Sequence, residues 1–226
     1  MNLLSGLLDL LFPPPCPFCG KAGGGKAGAA CSGCKEADFW VPPERRVFSG
    51  KHFTRCVCIG WYQDELRNAV RQFKFRNHPE FAKAYGRAMA EEVRRFLPGA
   101  YDCITWMPVS EKRLKERGYD QARLLAEAMG EVLNVPVLPL LKKTRDNPAQ
   151  SSLTDGRKRA SNVAGAYTVP DPSAVQGRRV LLVDDIFTTG STLEEGARTL
   201  RTAGCEQVVC AVLCRTPWRR SAAKEN

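Results

Sequence analysis

Hydrophobic positions along the chain follow two rhythms. Val180 to Val183 run without a polar break, Gln207 to Cys214 is nearly as apolar, and so are Arg55 to Tyr62 and Tyr101 to Met107. Continuous apolar runs of this length suit strands buried on both faces of a parallel sheet. Elsewhere the spacing changes to three and four. Leu66, Ala69, Val70 and Phe73 form one stripe over Asp64 to Phe75, with Arg67, Arg71 and Lys74 facing away. Phe81, Tyr85, Ala88 and Phe96 form a second stripe after Pro79, which suits a helix start; Leu124, Leu125 and Ala128 form a third, and Leu193, Ala197 and Leu200 a fourth. Strands alternating with amphipathic helices predict an α/β fold, a parallel sheet flanked by helices. Another strand is expected over Val135 to Leu141, and Met1 to Phe12 reads as a short packing helix.

The run Val180–Val183 stops at two carboxylates, Asp184 and Asp185, and then at Ile186-Phe187-Thr188-Thr189-Gly190-Ser191-Thr192. Acids after a buried strand stand at its carboxyl end, the edge where open α/β sheets bind ligands. Ser191 and Thr192 are good N-caps, and Glu194 and Glu195 stand three residues after each, so either register predicts a capping box. A loop of N–H and hydroxyl donors at a helix start is an anion site. The aspartates accept instead, from the vicinal hydroxyls of a sugar or from a magnesium ion through water. Phosphate donors beside hydroxyl acceptors describe a ribose 5-phosphate.

This stretch resembles the phosphoribosyl pyrophosphate (PRPP) loop of type I phosphoribosyltransferases. The resemblance implies that Asp184 and Asp185 hold the ribose hydroxyls, with magnesium, and that Thr188, Thr189, Gly190, Ser191 and Thr192 hold the 5-phosphate. A dinucleotide fold would want G-x-G-x-x-G after its strand, and none follows Val183. Gly20 to Lys26 meets the first seven positions of a P-loop but has Ala27 where a hydroxyl is needed and no preceding strand, so it reads as flexible linker.

Composition adds a second module. Cys16-Pro17-Phe18-Cys19 and Cys31-Ser32-Gly33-Cys34 are two C-x-x-C knuckles separated by eleven residues, the spacing of a tetrahedral four-sulfur zinc site. Four cysteine ligands leave no open position, so the zinc is structural. Trp40 to Gly50 reads as the link, dividing the chain into residues 1–50 and 51–226. The net charge is +10, and residues 1–50 hold five basic and four acidic side chains, so almost all of the excess lies in the second part. A basic surface suits phosphorylated ligands or nucleic acid. No stretch is apolar enough to span a bilayer and no signal peptide is evident, which points to the cytoplasm. Lys112, Arg113, Lys115 and Arg117 read as a basic loop after the strand ending at Met107, which can put Arg113 and Arg117 on the pyrophosphate side of the same ligand, or else as a solvated helical face. Lys142 to Ala164, with six basic residues, reads as a flap or a nucleic-acid track. His52 and His78 lie outside every motif.

The order of these features is similar to that of the competence protein F (ComF) family. A four-cysteine knuckle comes first, then Met107-Pro108-Val109-Ser110, Arg113 to Ala122, Lys143 to Gln150, Arg159, Asn162-Val163, and finally the PRPP loop. The resemblance implies a type I phosphoribosyltransferase-like protein with a small N-terminal four-cysteine zinc module, linked in transformable bacteria to the uptake or processing of single-stranded DNA. It names no reaction. Two readings follow. In one, the chain binds PRPP and transfers a phosphoribosyl group, with Asp184 and Asp185 stabilising charge on the ribose ring and the basic loops holding pyrophosphate. In the other, it is a competence factor that binds single-stranded DNA through Arg67, Arg71 and Lys74, and its pocket is a regulatory or vestigial ligand site. A PRPP-gated transcriptional regulator is weaker, since no helix-turn-helix is discernible.

Overall fold

The computed structural model describes residues 15–21, 30–35, 37–75, 78–145 and 164–217. The packing helix expected at the N-terminus, the glycine-rich linker and most of the basic segment 142–164 lie outside the described residues.

Five strands form the main sheet: β1 (Val47–Phe48), β2 (Cys56–Trp61), β3 (Cys103–Trp106), β6 (Arg179–Phe187) and β7 (Gln207–Arg215). Their order is β1-β2-β7-β6-β3. All neighbours are parallel except β1, which runs antiparallel on the outer edge of β2. The apolar runs become the central rungs, with Leu181 opposite both Ile104 and Val209, and all three are fully buried. A two-stranded hairpin, β4 (Lys142–Lys143) and β5 (Tyr167–Thr168), stands apart.

Helices cover both faces, as a parallel sheet requires. On one side lie α2 (Asp64–Phe75), α3 (Phe81–Phe96) and α5 (Gln121–Leu133), whose Leu66, Val70, Phe73, Tyr85, Met89 and Leu125 meet Ile104, Leu181 and Val209. Gly86 permits α3 and α5 to touch, since a Cβ there would lie 2.5 Å from that of Ala128. On the other side α6 (Ser191–Thr202) packs Leu193, Ala197 and Leu200 against Val180, Leu182 and Val212.

Three expectations are corrected. The basic loop 112–117 is a helix, α4 (Glu111–Arg117); Ser110 caps its start by accepting from the Arg113 N–H, and Gly118 ends it at φ +79°. Val135–Leu141 gives only a single bridge, Val137 to Ile104, because Pro136 and Pro139 have no N–H for a ladder. The expected capping box does not form: the N-cap of α6 is Gly190, which has no side chain to cap with, and Thr189 Oγ1 accepts the Ser191 N–H at 3.5 Å. Glu194 instead accepts from the backbone N–H groups of Lys51 and His52 at 2.7 and 2.9 Å, and Glu195 from Gly165 N–H at 2.6 Å.

The N-terminal cysteines fold against the first face. A short helix, α1 (Ser32–Lys35), follows Cys31. Phe18 is buried between the rings of Trp40 and Tyr85, and the Tyr85 hydroxyl donates to the Pro17 carbonyl. The following chain lies along β2, with Val41 N–H donating to Ile59 at 3.0 Å and Trp61 N–H to Phe39 at 2.7 Å.

Candidate functional site

Strand β6 continues past the apolar run, so Asp184 and Asp185 belong to the strand itself and alternate across it. Asp185 is 8% exposed and its Oδ2 lies 2.8 Å from Lys74 Nζ on α2. Asp184 Oδ1 accepts the Asp185 N–H at 2.8 Å. Burial raises the Asp184 carboxyl far above the usual carboxylate range, and the Asp185 charge adds to this, while Lys74 and the Asp185 N–H pull the other way.

Lys74 was expected to face away with Arg67 and Arg71, and this is corrected. Its side chain is 17% exposed and turned to the acids, whereas Arg67 and Arg71 are exposed. The reason is spacing: Leu66, Val70 and Lys74 lie four apart, so the lysine continues the buried row. The end of α2 is held there by the turn after α4. Tyr119 donates its hydroxyl to the Phe73 carbonyl, and Gln121 Nε2 donates to the Lys74 carbonyl at 3.4 Å.

Arg117 donates to Gln121 Oε1 at 3.0 Å and stacks 5.0 Å from the centroid of Phe75, a ring that is 65% exposed. Burial lowers its pKa, and the Asp185 charge opposes this, so Arg117 and the acid feel each other. Arg113, one turn earlier, is half-buried. Two groups that sequence reasoning missed complete the acidic side. Asp120 caps α5, accepting from Val109 and Arg123 N–H at 3.0 and 3.2 Å, with its pKa raised by burial. Tyr167 on β5 is buried; burial raises its pKa, and the Asp184 charge adds to the rise. Nothing in the local pattern marks Tyr167, whereas the helix-cap position of Asp120 is legible.

The loop 188–192 bends from β6 into α6. Gly190 is at φ +78°, and a Cβ there would lie 2.5 Å from Phe187 Cζ, so only glycine lets the loop fold over that ring. Thr189 and Ser191 hydroxyls are 2.9 Å apart. Asp184, Thr188, Gly190, Ser191 and Thr192 line a depression of about 20 Å³. The strand thus brings the acids and the hydroxyl loop together at the carboxyl edge, with Lys74 and Arg117 reaching them from α2 and α4.

The knuckles converge too. The sulfurs of Cys16, Cys19, Cys31 and Cys34 all lie within 4.8 Å of one another, with Cys16–Cys34 at 3.8, Cys19–Cys31 at 3.7 and Cys31–Cys34 at 3.4 Å. Zinc–sulfur bonds of about 2.3 Å in a tetrahedron place sulfurs about 3.8 Å apart, so the set fits structural zinc. The other six cysteines, Cys56 and Cys58 among them, are buried as free thiols. No helix among the described residues is long and apolar enough to cross a membrane.

Comparison with known proteins agrees with this architecture. A phosphoribosyl transferase domain family matches residues 119–225, and a double zinc ribbon domain family matches residues 7–45. The chain is 33% identical to the DNA utilization protein YhgH of Escherichia coli K12, over 72% of each chain. It is 29% identical to competence protein F of Haemophilus influenzae, over 85% of this chain and 82% of that one. Among solved structures, a purine phosphoribosyltransferase from Pyrococcus horikoshii aligns over 75% of this chain and 83% of its own, at 18% identity and a TM-score of 0.37. With a phosphoribosyltransferase-type domain behind a zinc ribbon, and the likeness to the YhgH and competence protein F sequences along most of its length, the chain belongs to the competence protein F (ComF) family.

Proposed function

We propose that the protein binds PRPP, with magnesium, at the carboxyl edge of β6. The observation that carries this reading is the juxtaposition of Asp184 and Asp185 with a hydroxyl loop and a twelve-residue helix that starts on Gly190. Thr188 to Thr192 donate to the 5-phosphate, helped by the positive end of the α6 dipole. The depression over the loop holds about one water, so the phosphate rests on the loop rather than in a chamber. Asp184 and Asp185 accept from the ribose hydroxyls. Lys74 already neutralises Asp185 at 2.8 Å, which keeps a second carboxylate tolerable beside Asp184. Magnesium, when bound, would neutralise charge on the pyrophosphate, and Arg113 and Arg117 on α4 offer charge for the same group. Residues 1–50 act as a zinc-held module docked on the ligand-binding part, residues 51–226, and the protein works in the cytoplasm. Calorimetry with PRPP and magnesium tests the reading: Asp185→Asn, which keeps the fold, should weaken binding by about 1–3 kcal/mol, the scale for a hydrogen bond to a charged group. Unchanged affinity would remove the site. Pyrophosphate release in the presence of one acceptor would make the protein a phosphoribosyltransferase.

A second role rests on a different surface. Arg67 and Arg71 are exposed on α2, and Phe75 at its end presents an exposed ring backed by Arg117. Cations beside an accessible ring suit a single strand, through phosphate contacts and stacking. The relatives' names, competence protein and DNA utilization protein, point the same way. We therefore propose single-stranded DNA as a partner of this face, with Lys74 reserved for the acids.

A further inference from the structure

A cavity of about 470 Å³ opens at the carboxyl ends of β2 and β7, and neither role above uses it. It is lined by Asp38, Arg45, Trp61, Gln63, Arg215 and Pro217. Its volume falls within the roughly 300–1,000 Å³ of small-molecule sites. It is also close to the hydroxyl loop. Arg215 pairs with Trp61 on one side and with Phe187 on the other. Thr216, the next residue, donates its N–H to the Phe187 carbonyl at 3.0 Å and its hydroxyl to the Thr188 carbonyl at 3.3 Å.

Arg215 is held in advance of any ligand. Its guanidinium lies 4.7 Å from the Trp61 ring centroid and 4.9 Å from that of Phe48, and it donates to the Arg45 carbonyl at 3.0 Å. Its Nε is buried without a partner. A stacked planar guanidinium has little freedom left to lose on binding. Among the described residues, the side chains of Asp38 and Gln63 have no hydrogen bond or ion pair. The cavity therefore presents a carboxylate acceptor, an amide that both donates and accepts, two guanidinium groups and an indole.

We propose that this cavity binds a guanine-type base, its O6/N7 edge toward Arg215 and its N1–H and amino group toward Asp38, beside the Trp61 indole. An arginine fork on O6 and N7 is the commonest specific contact to guanine, and a carboxylate accepts from both N–H groups of the opposite edge. Adenine would turn an amino donor toward the guanidinium and offer Asp38 no N1–H. The zinc module gives the pocket its second wall. Asp38 stands four residues after Cys34, Trp40 Nε1 donates to the Cys34 carbonyl at 2.5 Å, and Trp61 N–H donates to Phe39. The chain that follows the cysteine knuckles thus contributes Asp38 to the same cavity as Arg215. The inference goes beyond the PRPP reading and stands without it, since base recognition needs no ribose phosphate. The base could arrive as a free nucleoside or within a single strand, with the same recognition chemistry.

The experiment uses the full-length, zinc-loaded protein without PRPP. Guanosine and adenosine are titrated by calorimetry, and in parallel a short thymine strand carrying one central guanine or one central adenine. Guanine is expected to be favoured about tenfold or more in at least one arm. Preference in the nucleoside arm assigns a free base, and preference in the strand arm alone assigns the base to nucleic acid. Arg215→Met, which keeps the apolar stem between the rings, should lower guanine affinity at least tenfold. Asp38→Ala, at an exposed position that the fold does not need, should abolish the preference, and it carries the test if Arg215→Met fails to fold. Equal affinity for guanine and adenine in both arms, or a preference that survives Asp38→Ala, would overturn the proposal, whatever PRPP does at its own loop.

Discussion

Asp184→Asn should make the unliganded protein more stable while disabling its ligand site. The wild-type carboxyl is raised from 3.8 to about 8, first by burial and then by the Asp185 charge. The folded state therefore retains a proton that the unfolded chain releases, and stability falls as pH rises from about 4 through about 8. At pH 7 the penalty is at most about 4 kcal/mol, at about 1.4 kcal/mol for each unit above 3.8. Asp184 keeps a partial opening to the depression over the loop, and screening there reduces the figure to about 2 kcal/mol. Asparagine is nearly the same shape, carries no charge, and keeps an oxygen for the Asp185 N–H. For a chain of this size each kcal/mol moves Tm by about 2–4 °C, so the variant should melt about 4–8 °C higher at pH 7. Thermal melts by circular dichroism from pH 4 to 9, without PRPP or magnesium, read this directly. The gap should vanish near pH 4 and widen toward pH 8. A variant that is less stable at pH 7, or a gap that ignores pH, would refute the argument. Adding PRPP with magnesium should then raise the wild-type Tm and leave the variant's almost unchanged, because only the binding-competent state gains.

Other outcomes follow from single contacts. Cys31→Ser should lose bound zinc and loosen residues 16–34 while the sheet persists, so metal analysis showing no zinc in the reduced wild-type protein would contradict the assignment. Lys74→Met leaves Asp185 without its counter-charge and should destabilise by about 1–3 kcal/mol; Lys74→Met combined with Asp185→Asn should recover most of that in denaturant melts. Gly190→Ala forces an alanine to φ +78° against the Phe187 ring and should cost about 1–3 kcal/mol, with PRPP affinity falling more than stability. Single-stranded DNA should bind with affinity that drops steeply with salt, and Arg67→Glu with Arg71→Glu should abolish this without touching PRPP affinity; anisotropy showing no binding near 150 mM salt would favour the small-molecule role alone.

How much could be read from sequence depended on the range of the interaction. The helix over Asp64–Phe75 and the parallel strands were legible because periodicity records which face is buried, and the knuckles because four thiolates carry their own spacing. The far half of β6 was not: Asp184 and Asp185 are polar, so the apolar run stops at Val183, yet pairing with Val212 and Cys214 carries the strand to Phe187. Lys74 was misjudged because charge was weighed above spacing. The pocket around Arg215 was invisible for another reason, since it needs the register that sets Trp61, Arg215 and Phe187 on adjacent strands.

The missing capping box is the most informative of these differences. The pattern Ser191/Thr192 with Glu194/Glu195 would close the start of α6 on itself, with side-chain oxygens taking the N–H donors that an anion needs. The protein uses those glutamates elsewhere. Glu194 fixes the turn at Lys51 and His52, while Glu195, held on its other side by Arg198 at 2.7 and 2.8 Å, fixes Gly165 at the end of the basic segment. Gly190 in the left-handed region takes the N-cap position without supplying an acceptor. A helix that starts on glycine in this way gives up only about a few tenths of a kcal/mol relative to a side-chain cap, and burying Asp184 beside Asp185 gives up more. Both losses fall on the same few residues at one sheet edge. Folding alone gives no reason for that coincidence, whereas an anion on the loop and hydroxyls on the acids would relieve both at once.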